Sequence, residues 1–200
     1  EWLDQYLIHL RDLPIPNKKV DVHTQEIRDK LYKAFGYTYE DVKTAILPMA
    51  ANGIEPTAAM GIDIPLAVLS DKHQPLFNYF KQIFAQVTNP PIDSIREKVV
   101  TSTTVYLGTD GNVLEEKAEN YKQLKINDPI LTNTDLLKIK NMKEDGFHVE
   151  VVPIIYYKSM SLEKAIDHLF IEVDRAYKEG ANILILSDRG VDENHMAIPS

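Results

Sequence analysis

The sequence predicts an α/β fold with a mixed, partly parallel sheet covered by helices. Three observations near the C-terminus carry this. Phe147–Tyr157 (FHVEVVPIIYY) is rich in β-branched and aromatic residues, so it reads as a strand broken at Pro153. Ser161–Glu179 places Leu162, Ala165, Ile166, Leu169, Val173 and Ala176 on one helical stripe, and Gly180 ends it. Ile183-Leu184-Ile185-Leu186 is a fully apolar run, the mark of a buried strand. Strand, long helix and apolar strand in succession form a βαβ unit, which requires parallel pairing.

The earlier elements follow in order. Residues 1–23 are expected to be an extended N-terminal arm or linker, because Leu13-Pro14-Ile15-Pro16 breaks any helix. Thr24 is an N-cap for a helix carrying Ile27, Leu31 and Phe35, with Gly36 at its end. Thr38 opens a second helix, with Asp41 at the capping-box position and a bend at Pro48. Its apolar face is Val42, Ile46 and Met49. Residues 53–65 (GIEPTAAMGIDIP) form a loop punctuated by glycine and proline, and Leu66–Leu69 reads as a short strand. A helix bearing Phe77, Phe80 and Phe84 runs into Thr88-Asn89-Pro90-Pro91, where two prolines stop it. Asp93 caps another short helix, Val99–Leu107 reads as a strand, and residues 109–112 (TDGN) read as a turn.

Composition narrows the function. The 200 residues are enough for one domain with its own core; they are 44% hydrophobic and 26% charged, as in a soluble globular protein. A net charge of −8 without a Lys/Arg cluster speaks against nucleic acid and anionic membrane surfaces. No apolar run approaches the ~20 residues of a bilayer span, and no signal peptide is visible, so the cytoplasm is the expected location. Cysteine is absent, which excludes disulfides, a thiolate nucleophile and Fe–S ligation by this chain. The chain opens on Glu1-Trp2-Leu3 without Met, which suggests a piece of a longer polypeptide; a processed N-terminus is the alternative.

Candidate chemistry is sparse. The six histidines show no HxxxH spacing, and neither GxGxxG, GxxxxGK[ST] nor GxSxG occurs. Asp188, Asp192, Glu193 and His195 follow the last apolar strand, where α/β sheets place their sites. A divalent metal there competes with the reading of ordinary solvated acids, which we favour, with Asp188-Arg189-Gly190 as a turn holding a local ion pair. Ser70 and Ser187 each follow an apolar run and read as caps.

Three segments add specificity. AANGIEPTAAMGIDIPLAVLS (50–70), YFKQIFAQVTNPPIDSIRE (79–97) and GANILILSDRGV (180–191) together resemble the central domain of the glutamate synthase large subunit. The resemblance runs over the whole chain, 1–200, and implies a domain similar to a rudimentary (β/α) FMN barrel. It implies a non-catalytic piece without its own cofactor, joining a glutamine amidotransferase domain to an FMN-binding synthase domain of the same polypeptide. FMN and an Fe–S cluster belong to the parent enzyme, which makes glutamate from glutamine, 2-oxoglutarate and reductant.

The resemblance also implies that Met60, in the Met-Gly loop, and Thr88 and Asn89, in QVTNPP, line part of an ammonia tunnel. The chemistry suits them. Ammonia must travel as neutral NH₃, and a carboxylate in the wall would favour the cation. Thr and Asn exchange hydrogen bonds without holding charge, and Met closes a constriction softly. From the residues alone, the favoured reading is that Thr88 and Asn89 cap the helix end and Met60 fills the core. The family loop usually reads Gly-Ser before Met-Gly and Thr before the next Pro; Ala58-Ala59 and Ile64 stand here, giving a stiffer, less polar loop. Two other readings compete: a stand-alone flavin- or phosphate-binding α/β enzyme, and a pure interdomain scaffold.

Overall fold

The computed structural model describes residues 2–20, 23–53, 56, 67–71, 93–112 and 114–199. The chain divides into two compact units: residues 1–20 with 94–198, and residues 21–93. Each is described by itself.

In the first unit, α1 (Trp2–Tyr6) leads into β1 (Ile8–His9) and a 3₁₀ turn, Leu10–Asp12. This differs from the extended arm expected from the prolines. Pro14 and Pro16 do leave residues 14–20 without regular structure, but the segment before them is anchored. Trp2 packs its ring on Tyr121 at 5.5 Å between centroids, and Leu10 and Leu13 are buried in the core.

The second unit holds α2 (Gln25–Ala34), α3 (Tyr39–Asp41) and α4 (Leu47–Asn52). Thr24 caps α2 by accepting from the Ile27 N–H, as expected. Thr38 and Asp41 form a reciprocal capping box: Thr38 N–H donates to Asp41 at 2.8 Å, and Asp41 N–H donates to Thr38 Oγ1 at 3.1 Å. Between α3 and α4 the backbone winds as a π-turn, Val42–Ile46, with Leu47 N–H donating to Val42 O. Pro48 lacks an N–H, so an α-helical bond at this point would have no donor; the wider turn absorbs that loss. Val68 and Leu69, expected as strand, lie in a turn closed by Ser70 N–H on Ala67 O. Leu69 is 96% exposed.

The chain re-enters the first unit at α5 (Ser94–Val100), directly after Asp93. Helix continues through Val99 and Val100, where a strand is expected; Thr101 N–H and its hydroxyl both bond Glu97 O and close the last turn. Strand β2 (Val105–Leu107) is therefore short. Residues 109–112, expected as a turn, carry none: Gly111 sits at φ +62° and the turn comes just after it, closed by Glu115 N–H on Asn112 O. A 3₁₀ turn at Ala118–Tyr121 precedes β3 (Leu124–Ile126), which lies between β1 and β2, parallel to the first and antiparallel to the second. Helix α6 (Asn133–Lys140) starts with another capping box, Thr132 with Asp135.

Val149–Pro153 is β4 and Ile155–Tyr157 is β5, so the expected strand breaks at Ile154, one residue after the proline. Helix α7 (Leu162–Lys178) is capped by Ser161, buries Ala165 and Ala176, and half-buries the rest of the predicted stripe. Strand β6 (Ile183–Ser187) pairs parallel with β4 from Val149↔Ile183 to Pro153↔Ser187, which is the βαβ unit. Strand β7 (His195–Ala197) pairs antiparallel with β5. The Pro153 position costs the ladder nothing: Ile154 N–H reaches Ser187 O, so the alternate residue 153 turns its missing donor away from β6.

The fold is thus mixed α/β, with three small sheets rather than one, and no closed barrel among the described residues. One core joins the β1-β3-β2 and β4-β6 sheets. Leu124, fully buried, packs with Leu10, Leu13, Ile126, Ile139 and Ile183. Phe147, Val149, Ile185 and Met142 flank them.

Candidate functional site

The three residues that the resemblance assigns to a tunnel, Met60, Thr88 and Asn89, lie outside the described residues, as does the helix expected to bear Phe77, Phe80 and Phe84. In the first unit, polar side chains converge at three other places.

The first is a crevice at the carboxyl ends of the parallel pair β1 and β3, the end of an α/β sheet that favours ligands. Its volume is about 150 Å³, and its lining includes His9, Arg11, Lys125, Asp128 and Asp135. Part of this charge is committed to the fold. Asp135 accepts from the Thr132 hydroxyl at 2.6 Å, and Lys138 beside it donates to Leu10 O at 3.3 Å. Sites for organic ligands measure roughly 300–1,000 Å³, so this crevice is too small for one.

The second is a cleft of about 360 Å³ between residues 13–18 and the end of α6. Lys18 spans its mouth, donating to Asn141. Lys18, Lys138 and Lys143 outnumber Glu144 in its wall. Nothing in the lining forms a nucleophile–base pair.

The third is the acidic loop after β6. Asp192 is a loop-closing acceptor: one carboxylate oxygen takes the N–H groups of Asn194 and His195, each at 2.8 Å, and lies 2.8 Å from His195 Nδ1. The Asn194 N–H and then the His195 ring hold this carboxyl below the usual Asp range. Tyr157 packs on the His195 ring at 4.4 Å. Arg189 donates to Asn133 at 3.5 Å across to α6, so the expected local pair with Asp188 is replaced by a link between elements. Ser187 Oγ accepts from Arg189 N–H in the turn, a local capping role. Among the described residues no three His, Asp or Glu side chains gather as metal donors.

Residues 113–146 carry no marked element in the sequence, yet Leu124, Ile126, Lys138 and Ile139 in that stretch are all buried. The Thr132-x-x-Asp135 spacing was the available signal, the same one that identifies Thr38 and Asp41.

The donor set of the chain does not fit an Fe–S cluster, since there is no Cys to supply thiolates. It also lacks the glycine-rich loop whose amides would hold a flavin phosphate.

Comparison with known proteins adds what geometry alone does not. Residues 30–200 match the family model described as the glutamate synthase central domain. The chain is 38% identical over 199 residues to the glutamate synthase [NADPH] large chain of Bacillus subtilis (strain 168), covering 100% of this chain and 13% of that protein. It is 45% identical over 172 residues to ferredoxin-dependent glutamate synthase 2 of Synechocystis sp. (strain ATCC 27184 / PCC 6803 / Kazusa), covering 83% and 11% respectively. It is 38% identical over 205 residues to the chloroplastic ferredoxin-dependent glutamate synthase of Spinacia oleracea, covering 100% and 12%. The chain therefore spans 13% or less of these relatives. No described helix is long and apolar enough to cross a membrane. The matched model takes in all three predicted positions, Met60, Thr88 and Asn89, and the chain belongs to the glutamate synthase central-domain family.

Proposed function

We propose that this chain, residues 1–200, is the non-catalytic central domain of a glutamate synthase. It connects the glutamine amidotransferase and FMN-binding synthase domains of one polypeptide and lines part of the ammonia path between them. One observation carries the reading: the family match over residues 30–200, on a chain that is a small share of each relative. Asp135, Lys138 and Asp192 are committed to a cap, a core carbonyl and a loop closure, which agrees with it.

FMN and the Fe–S cluster of the parent enzyme lie in other domains on this proposal. Electrons enter there too, which agrees with relatives named for both NADPH and ferredoxin. The cytoplasm is the proposed location for this chain; the spinach relative is named chloroplastic.

Met60, Thr88 and Asn89 are proposed as the tunnel wall: neutral donors and acceptors beside a flexible thioether, none able to trap NH₄⁺. The test is Thr88→Trp and Met60→Trp in the full-length enzyme. Glutamine-dependent glutamate formation should fall at least about tenfold while ammonia-dependent synthesis persists, with hydrolysed glutamine exceeding glutamate formed. Unchanged one-to-one coupling in both variants overturns the tunnel role.

A further inference from the structure

Strand β6 has one hydrogen-bonded neighbour among the described residues, β4. Ile183 N–H donates to His148 O at 3.2 Å, and Ser187 O accepts from Ile154 N–H at 2.9 Å. Residues 183, 185 and 187 thus direct their backbone groups towards β4. Strand alternation turns the N–H and C=O of Leu184 and Leu186 to the opposite edge. The two residues are 37% and 52% exposed.

This is an unusual edge to leave in water. Parallel strands are ordinarily covered on both faces and flanked on both sides. Exposed edges are ordinarily blunted by lysine, proline, an inward charge or a bulge. The segment Ile183-Leu184-Ile185-Leu186-Ser187 has none of these, and its register with β4 is unbroken.

We propose that the outer edge of β6 is an interdomain docking edge. An extended segment of the surrounding polypeptide adds to it as a further strand, bonding the Leu184 and Leu186 backbone and covering both leucines. The proposal rests on the chain being one part of a longer polypeptide, and is independent of the roles given to Met60, Thr88 and Asn89. Two observations select that occupant. The chain is 13% or less of its relatives, so most of the polypeptide is tethered to it and present at high effective concentration. A second copy pairing through five edge residues would bury far less than the roughly 1,200–2,000 Å² of a stable interface.

The first measurement is amide hydrogen exchange on the unmodified full-length polypeptide. Leu184 and Leu186 amides should exchange at least about 100-fold slower than unstructured amides, on a par with Ile183 and Ile185. Fast exchange at 184 and 186 beside protected 183 and 185 overturns the proposal. The second is a photo-crosslinking residue, Leu186→p-benzoylphenylalanine, in the same polypeptide. A crosslinked peptide from outside residues 1–200 of the same molecule supports it. A peptide from within 1–200, a crosslinked dimer, or no crosslink overturns it. Loss of ammonia coupling in the tunnel variants bears on neither readout, so the two proposals fail separately.

Discussion

Lys138 donates from Nζ to the backbone oxygen of Leu10, 3.3 Å away across 128 positions of sequence. It is the one charged residue buried with the core among the described residues. Its stem covers apolar surface while its head satisfies a carbonyl that water cannot easily reach, with Asp135 3.9 Å away. Lys138→Ala removes both contributions. We expect a loss of about 1–3 kcal/mol in urea-induced unfolding. Asp135→Asn should cost less, since the carbonyl bond remains.

Gly111 sits at φ +62°, and a Cβ there would collide with the Asn120 side-chain oxygen. Asn120 is not free to move: its amide donates to Asn112 O at 2.9 Å and to Glu115 O at 2.8 Å. Gly111→Ala should therefore destabilise by about 2 kcal/mol or more, combining left-handed strain with a broken loop clasp. In the background of Asn120→Ala the same substitution should cost measurably less. A strictly additive double-mutant cycle would refute the coupling.

Acid should weaken the fold through two exposed carboxylates. The Lys122 ammonium, donating at 2.6 Å, holds Asp145 below its usual range. The Asn194 N–H and His195 ring do the same for Asp192. For both, the folded state binds its proton at lower pH than the unfolded state. Their stabilisation is therefore complete above the ordinary Asp range, near pH 4, and is lost as pH falls through the folded values. Denaturant midpoints measured from pH 6 down to pH 2.5 should decline, and Asp145→Asn with Asp192→Asn should flatten that decline.

The outcome for sequence reading depends on which force governs each element. Helix α7 was legible because Ser161 caps it and six apolar residues share one stripe. The two-strand pairing of β4 with β6 followed from the intervening helix. Strand β3 is hidden by its length: the three residues Leu124-Lys125-Ile126 are too few to establish a period, and only the finished core shows that Leu124 is its centre. Val99 and Val100 misled because β-propensity is decided by neighbours, and the local Glu97–Thr101 bonds won. The apolar run of β6 suggested burial, yet Leu186 faces solvent, since burial depends on what lies beside the strand. The proposed tunnel positions rest on the resemblance alone. Met60, Thr88 and Asn89 are common residues in common settings, and no spacing rule marks neutral wall-forming groups.

The division of the first unit into residues 1–20 and 94–198 fixes an order of events during synthesis. Leu10 and Leu13 leave the ribosome long before Leu124 and Ile139, their core partners, exist. At cellular elongation rates the wait is on the order of 10 s, while residues 21–93 emerge and can close locally. The opening segment must therefore be kept from other apolar chains until its own late partners arrive. Its two prolines and the charged residues Arg11, Asp12, Lys18 and Lys19 give the nascent chain a means to stay unpaired until then.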